Sequence, residues 1–176
     1  MLIAFGIGAT VVGLDARDQV RSELAREQIV GTPDSTIPNQ LVNTGSEAQA
    51  FAAVIRKHTL EATSGKTYAQ MPRFLDAAGK GTNNENAAAK DPNSGGPLAN
   101  PARNIWVTST ALSTALNTAY FAESTATFVS VIGIALLLTG IGFLVLTLAV
   151  LRQSSATTQT AERHRPSATK AAVGAA

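Results

Sequence analysis

Two stretches of the chain carry no charge, and charged residues are spread between them. The longer, residues 128–151, reads FVSVIGIALLLTGIGFLVLTLAVL and contains no charge, Pro, Asn or Gln. As a helix it would be about 36 Å long, against about 30 Å of bilayer hydrocarbon. The hydroxyls of Ser130, Thr139 and Thr147 can bond back to the helix's own carbonyls. A chain of 176 residues seldom builds a core deep enough to surround such a helix. The pattern therefore predicts a transmembrane span.

The shorter stretch, residues 1–14, reads MLIAFGIGATVVGL. It would make only about 21 Å of helix, roughly two-thirds of the hydrocarbon thickness. It fits a signal-peptide core poorly, because it has no basic leader and no small-x-small site ahead of Asp15. It could be a short anchor that thins the bilayer. We read it as a first transmembrane helix, with a start that lies inside the true helix accounting for its length. Both stretches hold small residues at helical spacing: Ala4 and Gly8, Gly6 and Thr10, Ala9 and Gly13, then Ala135 and Thr139 with Gly133, Gly140 and Gly142 nearby. Small residues let helix backbones approach in lipid.

Between the spans, helical periodicity recurs. Residues 15–29 continue the first helix as a stalk, with Val20 and Leu24 on one stripe and Gly31 and Pro33 as stops. Ser46 with Gln49 has the spacing of a capping box. It opens a helix that places Phe51, Val54, Ile55, His58 and Ala62 on one face and ends at Gly65. Residues 67–75 predict a short helical turn lying over the other helices. Residues 76–100, crowded with Gly, Asn, Ala and Lys, predict a mobile loop. Asn100 followed by Pro101 is a strong helix start. The helix it opens meets no breaker before the second span and would be about 75 Å long if unbroken. Residues 152–176 have no periodicity and predict a disordered tail. The fold class expected is all-α: two transmembrane helices, 1–14 and 128–151, extended into a small extracytoplasmic helical bundle over 15–127.

Charge orients this arrangement. The formal net charge of +2 is not evenly placed. The segment 15–127 has ten Lys and Arg against eleven Asp and Glu, whereas Arg152, Arg163, Arg165 and Lys170 follow the second span with Glu162 alone. The positive-inside rule puts that basic tail in the cytoplasm. With two spans, both termini are cytoplasmic in a multi-pass protein of the cell membrane. The basic excess belongs to the tail and is no sign of nucleic-acid binding.

Candidate chemistry is sparse. The chain has no Cys, which excludes disulfides, thiolate metal sites and cysteine nucleophiles. Of its two histidines, His164 is in the tail, and His58 is better read as a packed or partner-bonded imidazole than as a ligand. His58 with Glu61 makes a single His-x-x-Glu pair, a motif that serves di-metal bundles only when repeated on other helices. Gly79-Lys80-Gly81 and Gly95-Gly96 lack the strand and helix of a phosphate loop. Neither span holds an ionisable side chain. Trp106 reads as packing within the outer segment. No catalytic, cofactor-binding or metal-binding residue is assigned, no cofactor is implied, and the chain does not read as an enzyme.

Three stretches carry a resemblance: KHTLEATSGKTYAQMPRF (57–74), NPARNIWVTSTALSTALNTAYFAE (100–123) and GIALLLTGIG (133–142). Together they resemble a family of uncharacterised actinobacterial membrane proteins with two spans and a helical outer segment. The resemblance implies a longer first span, and some members carry a Cys pair that this chain lacks. Members are sometimes labelled aromatic ring-opening dioxygenases. Extradiol cleavage needs an open iron site such as two His and a carboxylate, and only His58 is available outside the tail. The family implies no site residues.

The function expected is that of a structural or accessory membrane component. It would present its helical outer domain to a membrane-protein partner or to a second copy, with the lipid bilayer as its other partner. A two-span sensor signalling through a separate partner is the alternative. A small oligomeric channel lined by Ser130, Thr139 and Thr147 is another.

Overall fold

The computed structural model describes residues 1–163. Three α-helices, α1 (Leu2–Arg26), α2 (Gly45–Ala62) and α3 (Pro101–Arg163), hold most of them. A two-stranded antiparallel sheet, β1 (Phe74–Leu75) and β2 (Gly81–Thr82), lies between α2 and α3 in sequence. The protein is thus mostly helical, with one small sheet of two-residue strands that the sequence did not signal. The chain divides into two units, one of Met1–Thr10 with the segment from Val131, the other Val11–Ser130.

In the first unit the α1 and α3 segments run antiparallel at very short range. A Cβ added to Gly6 would meet the Leu137 backbone N at 2.6 Å and the Gly133 carbonyl O at 2.7 Å. One added to Gly133 would meet the Thr10 backbone N at 2.5 Å, and one on Gly140 would meet Ile3 Cγ1 at 2.7 Å. Glycine is what allows this approach. The Thr10 hydroxyl donates to the Gly6 carbonyl at 2.7 Å, so the polar atom at the contact is satisfied within its own helix. Away from the contact, Phe5, Leu138, Phe143 and Val145 are all exposed.

The second unit has an apolar core. Leu24 of α1, Val42, Ala48 and Ala52 of α2 and Leu116 of α3 are buried together, with Val20, Ile29, Ile37 and Phe51 packed around them. α1 ends at Arg26, short of Gly31, with Gln28 in the left-handed conformation. Leaving the helix there lets Ile29 enter the core and accept a bond from Val42 N–H at 2.8 Å.

The N-cap of α2 lies two residues before the expected one. Thr44 is the N-cap, and Glu47, not Gln49, closes the capping box. The Glu47 carboxylate accepts from the N–H groups of Asn43 and Thr44, both at 2.9 Å. A charged acceptor there is stronger than an amide and is favoured by the helix dipole. The buried face of α2 is Gly45, Ala48, Ala52, Val54 and Thr59. His58 therefore points away from the packed face. Small side chains win that face because α3 lies close against it: a Cβ on Gly45 would be 2.8 Å from Tyr120 Cα.

The expected loop at 76–100 is built from specific turns. Phe74 pairs with Thr82 and Leu75 with Gly81, while Phe74 also bridges Ala99 and Lys90 bridges Pro97. The Asp76 carboxylate accepts from Ala78 and Lys80 N–H, and that of Asp91 from Asn93 and Ser94 N–H. Asp and Asn favour such local turns, and Gly79 and Gly95 supply the positive φ. The composition that looked like disorder is turn chemistry. At 67–75 a single 3-10 turn, Tyr68–Gln70, leads into β1.

α3 begins as the sequence predicts. Asn100 Oδ1 accepts from Ala102 N–H, and Asn100 Nδ2 ties the cap to the Pro72 carbonyl at 2.9 Å. α3 is long and apolar enough to cross a membrane; its most apolar window has mean hydropathy 2.7 and is only 6% buried. It is the one such helix among the described residues, since the apolar run of α1 gives way to charge at Asp15. α3 continues to Arg163, beyond Arg152 where the disordered tail was expected to begin. No Gly or Pro occurs between Gly142 and Pro166 to stop it. The rest of that tail, 164–176 with His164, Arg165 and Lys170, lies outside the described residues.

Candidate functional site

Between Arg103 and Arg152 the sequence contains one charged residue, Glu123. It sits on the buried stripe of α3, where Leu116, Ala119, Glu123, Ala126 and Ser130 follow at spacings of three and four. On α1 the matching stripe runs Gly13, Arg17, Val20 and Leu24. These helical periods bring a buried carboxylate of α3 against a partly exposed guanidinium of α1 within the second unit.

Glu123 is 8% exposed. Its Oε1 accepts from Arg21 Nε at 2.6 Å and from Arg17 Nε at 3.4 Å. Its Oε2 accepts a short bond from the Gly45 N–H at the start of α2. One side chain of α3 thereby binds α1 through two cations and α2 through a helix-terminal amide, a donor that the helix cannot itself satisfy. Burial by itself would raise the Glu123 pKa. The Gly45 N–H, then Arg21 and Arg17, outweigh it and hold the carboxyl below its ordinary value.

Beside this group lies an open cavity of about 380 Å³, lined by Arg17, Arg21, Ser46, Tyr120, Glu123, Ser124 and Thr127. The two guanidiniums and one carboxylate leave it one positive charge in excess. The Thr127 hydroxyl is used within its own helix, donating to the Glu123 carbonyl at 2.9 Å.

A second polar cluster holds the α2 C-terminus to α3. Trp106 is buried, and its indole Nε1–H points at the Thr63 hydroxyl at 3.2 Å and the Lys66 carbonyl at 2.9 Å. Arg56 lies 5.5 Å from the indole centroid. The packing role read for Trp106 is what the structure displays.

His58 is exposed and faces Asp34 Oδ2 at 3.0 Å, beside Lys57 Nζ at 2.5 Å from the same oxygen. Lys57 first, then His58, hold the Asp34 carboxyl well below the usual carboxylate range. His58 does not join Glu61 in a ligand set. Among the described residues no group of three or more His, Cys, Asp or Glu could hold a metal ion. The glycines at 79–81 and 95–96 belong to the hairpin and the Asp91 turn.

Sequence reasoning assigned Glu123 no role. The available signal was its isolation: the one charge between Arg103 and Arg152, on the buried stripe, needs buried partners. No family model, curated protein or solved structure matches the chain.

Proposed function

We propose that the chain is a two-span integral membrane protein, with 1–14 and 128–151 as its spans. Its role is structural or accessory: the 15–127 segment forms a helical outer domain offered to a membrane-protein partner or to a second copy. The observation that carries this reading is the 6% burial of the most apolar window of α3. That much exposed hydrocarbon needs lipid or protein to cover it. The glycine contact between α1 and α3 in the first unit supports pairing of the short first span with the second. Thr139 and Thr147 donate to Ala135 and Phe143 carbonyls of their own helix, both at 2.8 Å, which favours anchoring over a pore lining.

The chain lacks Cys, so Asn93→Cys in the exposed turn gives one labelling site. A membrane-impermeant maleimide should label it in intact cells; labelling only after lysis would overturn the topology. Purification in mild detergent should then yield a stable complex with another membrane protein or a homo-oligomer. A clean monomer would reject the accessory role.

A further inference from the structure

We propose that the cavity beside Glu123 binds the phosphate of an anionic phospholipid headgroup. The inference rests on the membrane reading above. Arg17 and Arg21 each present five N–H donors in a planar fork. Glu123 engages only the Nε of each, and their terminal nitrogens make no hydrogen bond among the described residues. The two side chains are 35% and 38% exposed, so those free edges are accessible. Their shared partner fixes them side by side, a pre-organised pair with one uncompensated charge.

The first turn of α2 adds neutral donors. Gly45 N–H goes to Glu123 and Glu47 N–H to Thr44 Oγ1, but the N–H of Ser46 has no acceptor among the described residues. The Ser46 and Ser124 hydroxyls are exposed on the same cavity. Paired guanidiniums beside free amide and hydroxyl donors match a phosphate, which accepts several hydrogen bonds at once. The sequence places this group at headgroup depth: Thr127 adjoins the 128–151 span, and Arg17 follows Leu14 by less than one helical turn. A basic pair at that depth meets lipid phosphates before any soluble anion.

The test uses the full chain reconstituted in mixed vesicles of phosphatidylcholine and phosphatidylglycerol, re-extracted in mild detergent, with retained lipid counted by native mass spectrometry. Retained phosphatidylglycerol should exceed phosphatidylcholine. Arg17→Gln should reduce that preference about fivefold, the value of one cation near a lipid surface. Ser46→Glu leaves the Glu123 contacts in place, adds an acid where the dipole of α2 favours one, and should abolish the preference. Equal retention of both lipids, or an unchanged preference in Ser46→Glu, overturns the proposal. Displacement of the retained lipid by millimolar inorganic phosphate would show a soluble anion site and overturn it too. If carbonate extraction strips the wild-type chain from membranes, the membrane reading itself falls. If the chain stays in the membrane without lipid preference, only this inference falls.

Discussion

Both units bring α1 against α3 over glycine, at Gly6 in the first and at Gly13, beside Ala126 and Ser130, in the second. Only the second adds a filled core and a buried polar group. In the first, Gly6, Gly133 and Gly140 remove side chains from the contact, and backbone meets backbone. In the second, Leu24, Val42 and Leu116 fill a core, Glu123 hydrogen-bonds to α1 and α2, and Trp106 ties the segment after α2 to α3. Under the proposed two-span reading, the difference follows the surroundings of each segment. Where water is present, burying Leu and Val is favourable by about 25 cal/mol per Å². Between helices in lipid that drive vanishes, and close van der Waals approach over small residues replaces it.

The largest break in this comparison should come from Glu123→Ala. Two guanidiniums and the Gly45 N–H lose their acceptor, at a cost of about 3 kcal/mol, reduced by the partial exposure of the arginines. Thermal unfolding in detergent should show it, and hydrogen exchange should rise along α2 before the first unit loosens. Equal loosening of both units would contradict the division.

Gly6→Leu tests the other unit. Its Cβ has only backbone to push against, and overpacking of this kind costs about 2 kcal/mol. Hydrogen exchange should rise in 131–140, while Trp106 fluorescence stays as in the wild type. A neutral Gly6→Leu would mean that the close approach is dispensable.

Trp106→Phe keeps an aromatic ring but removes the indole donor from Thr63 and Lys66, for about 1 kcal/mol. No loss of stability would reduce the Trp106 bonds to mere proximity.

The smallest effect concerns acid. Glu123 has a folded pKa below its ordinary value of 4.5, so its contribution is present above that pH. It fades as pH falls through the depressed folded value. Unfolding followed below pH 4.5 should steepen in the wild type and flatten in Glu123→Gln. Asp34 is depressed in the same sense, yet it is exposed, and Asp34→Asn should barely move the curve.

Part of this was legible from sequence. The Asn100–Pro101 start of α3, the helical run through Asp15, the apolar stretch and the packing of Trp106 all follow from local rules. Caps, breakers and hydropathy act over a few residues, and nothing distant overrides them. The choice of buried face on α2 was not local. Of the expected stripe, Val54 is buried and Phe51 and Ile55 pack at the edge of the core, but His58 and Ala62 are exposed. The approach of Tyr120 adds Gly45, Ala48 and Ala52 to the buried face. The Thr44–Glu47 box displaced Ser46–Gln49 by a difference in acceptor strength that spacing does not encode. The segment 76–100 has the composition of a loop, and only the pairing of Phe74 with Thr82 and Ala99 gives it form. Glu123 was visible as an isolated charge. Its partners lie more than a hundred residues away at Arg17 and Arg21 and 78 away at Gly45, separations at which sequence carries no distance information. Sequence alone determined that these helices form and where the apolar stretches lie, because those depend on neighbours along the chain. Tertiary structure alone decided which charges meet and which faces are buried, because those depend on neighbours in space.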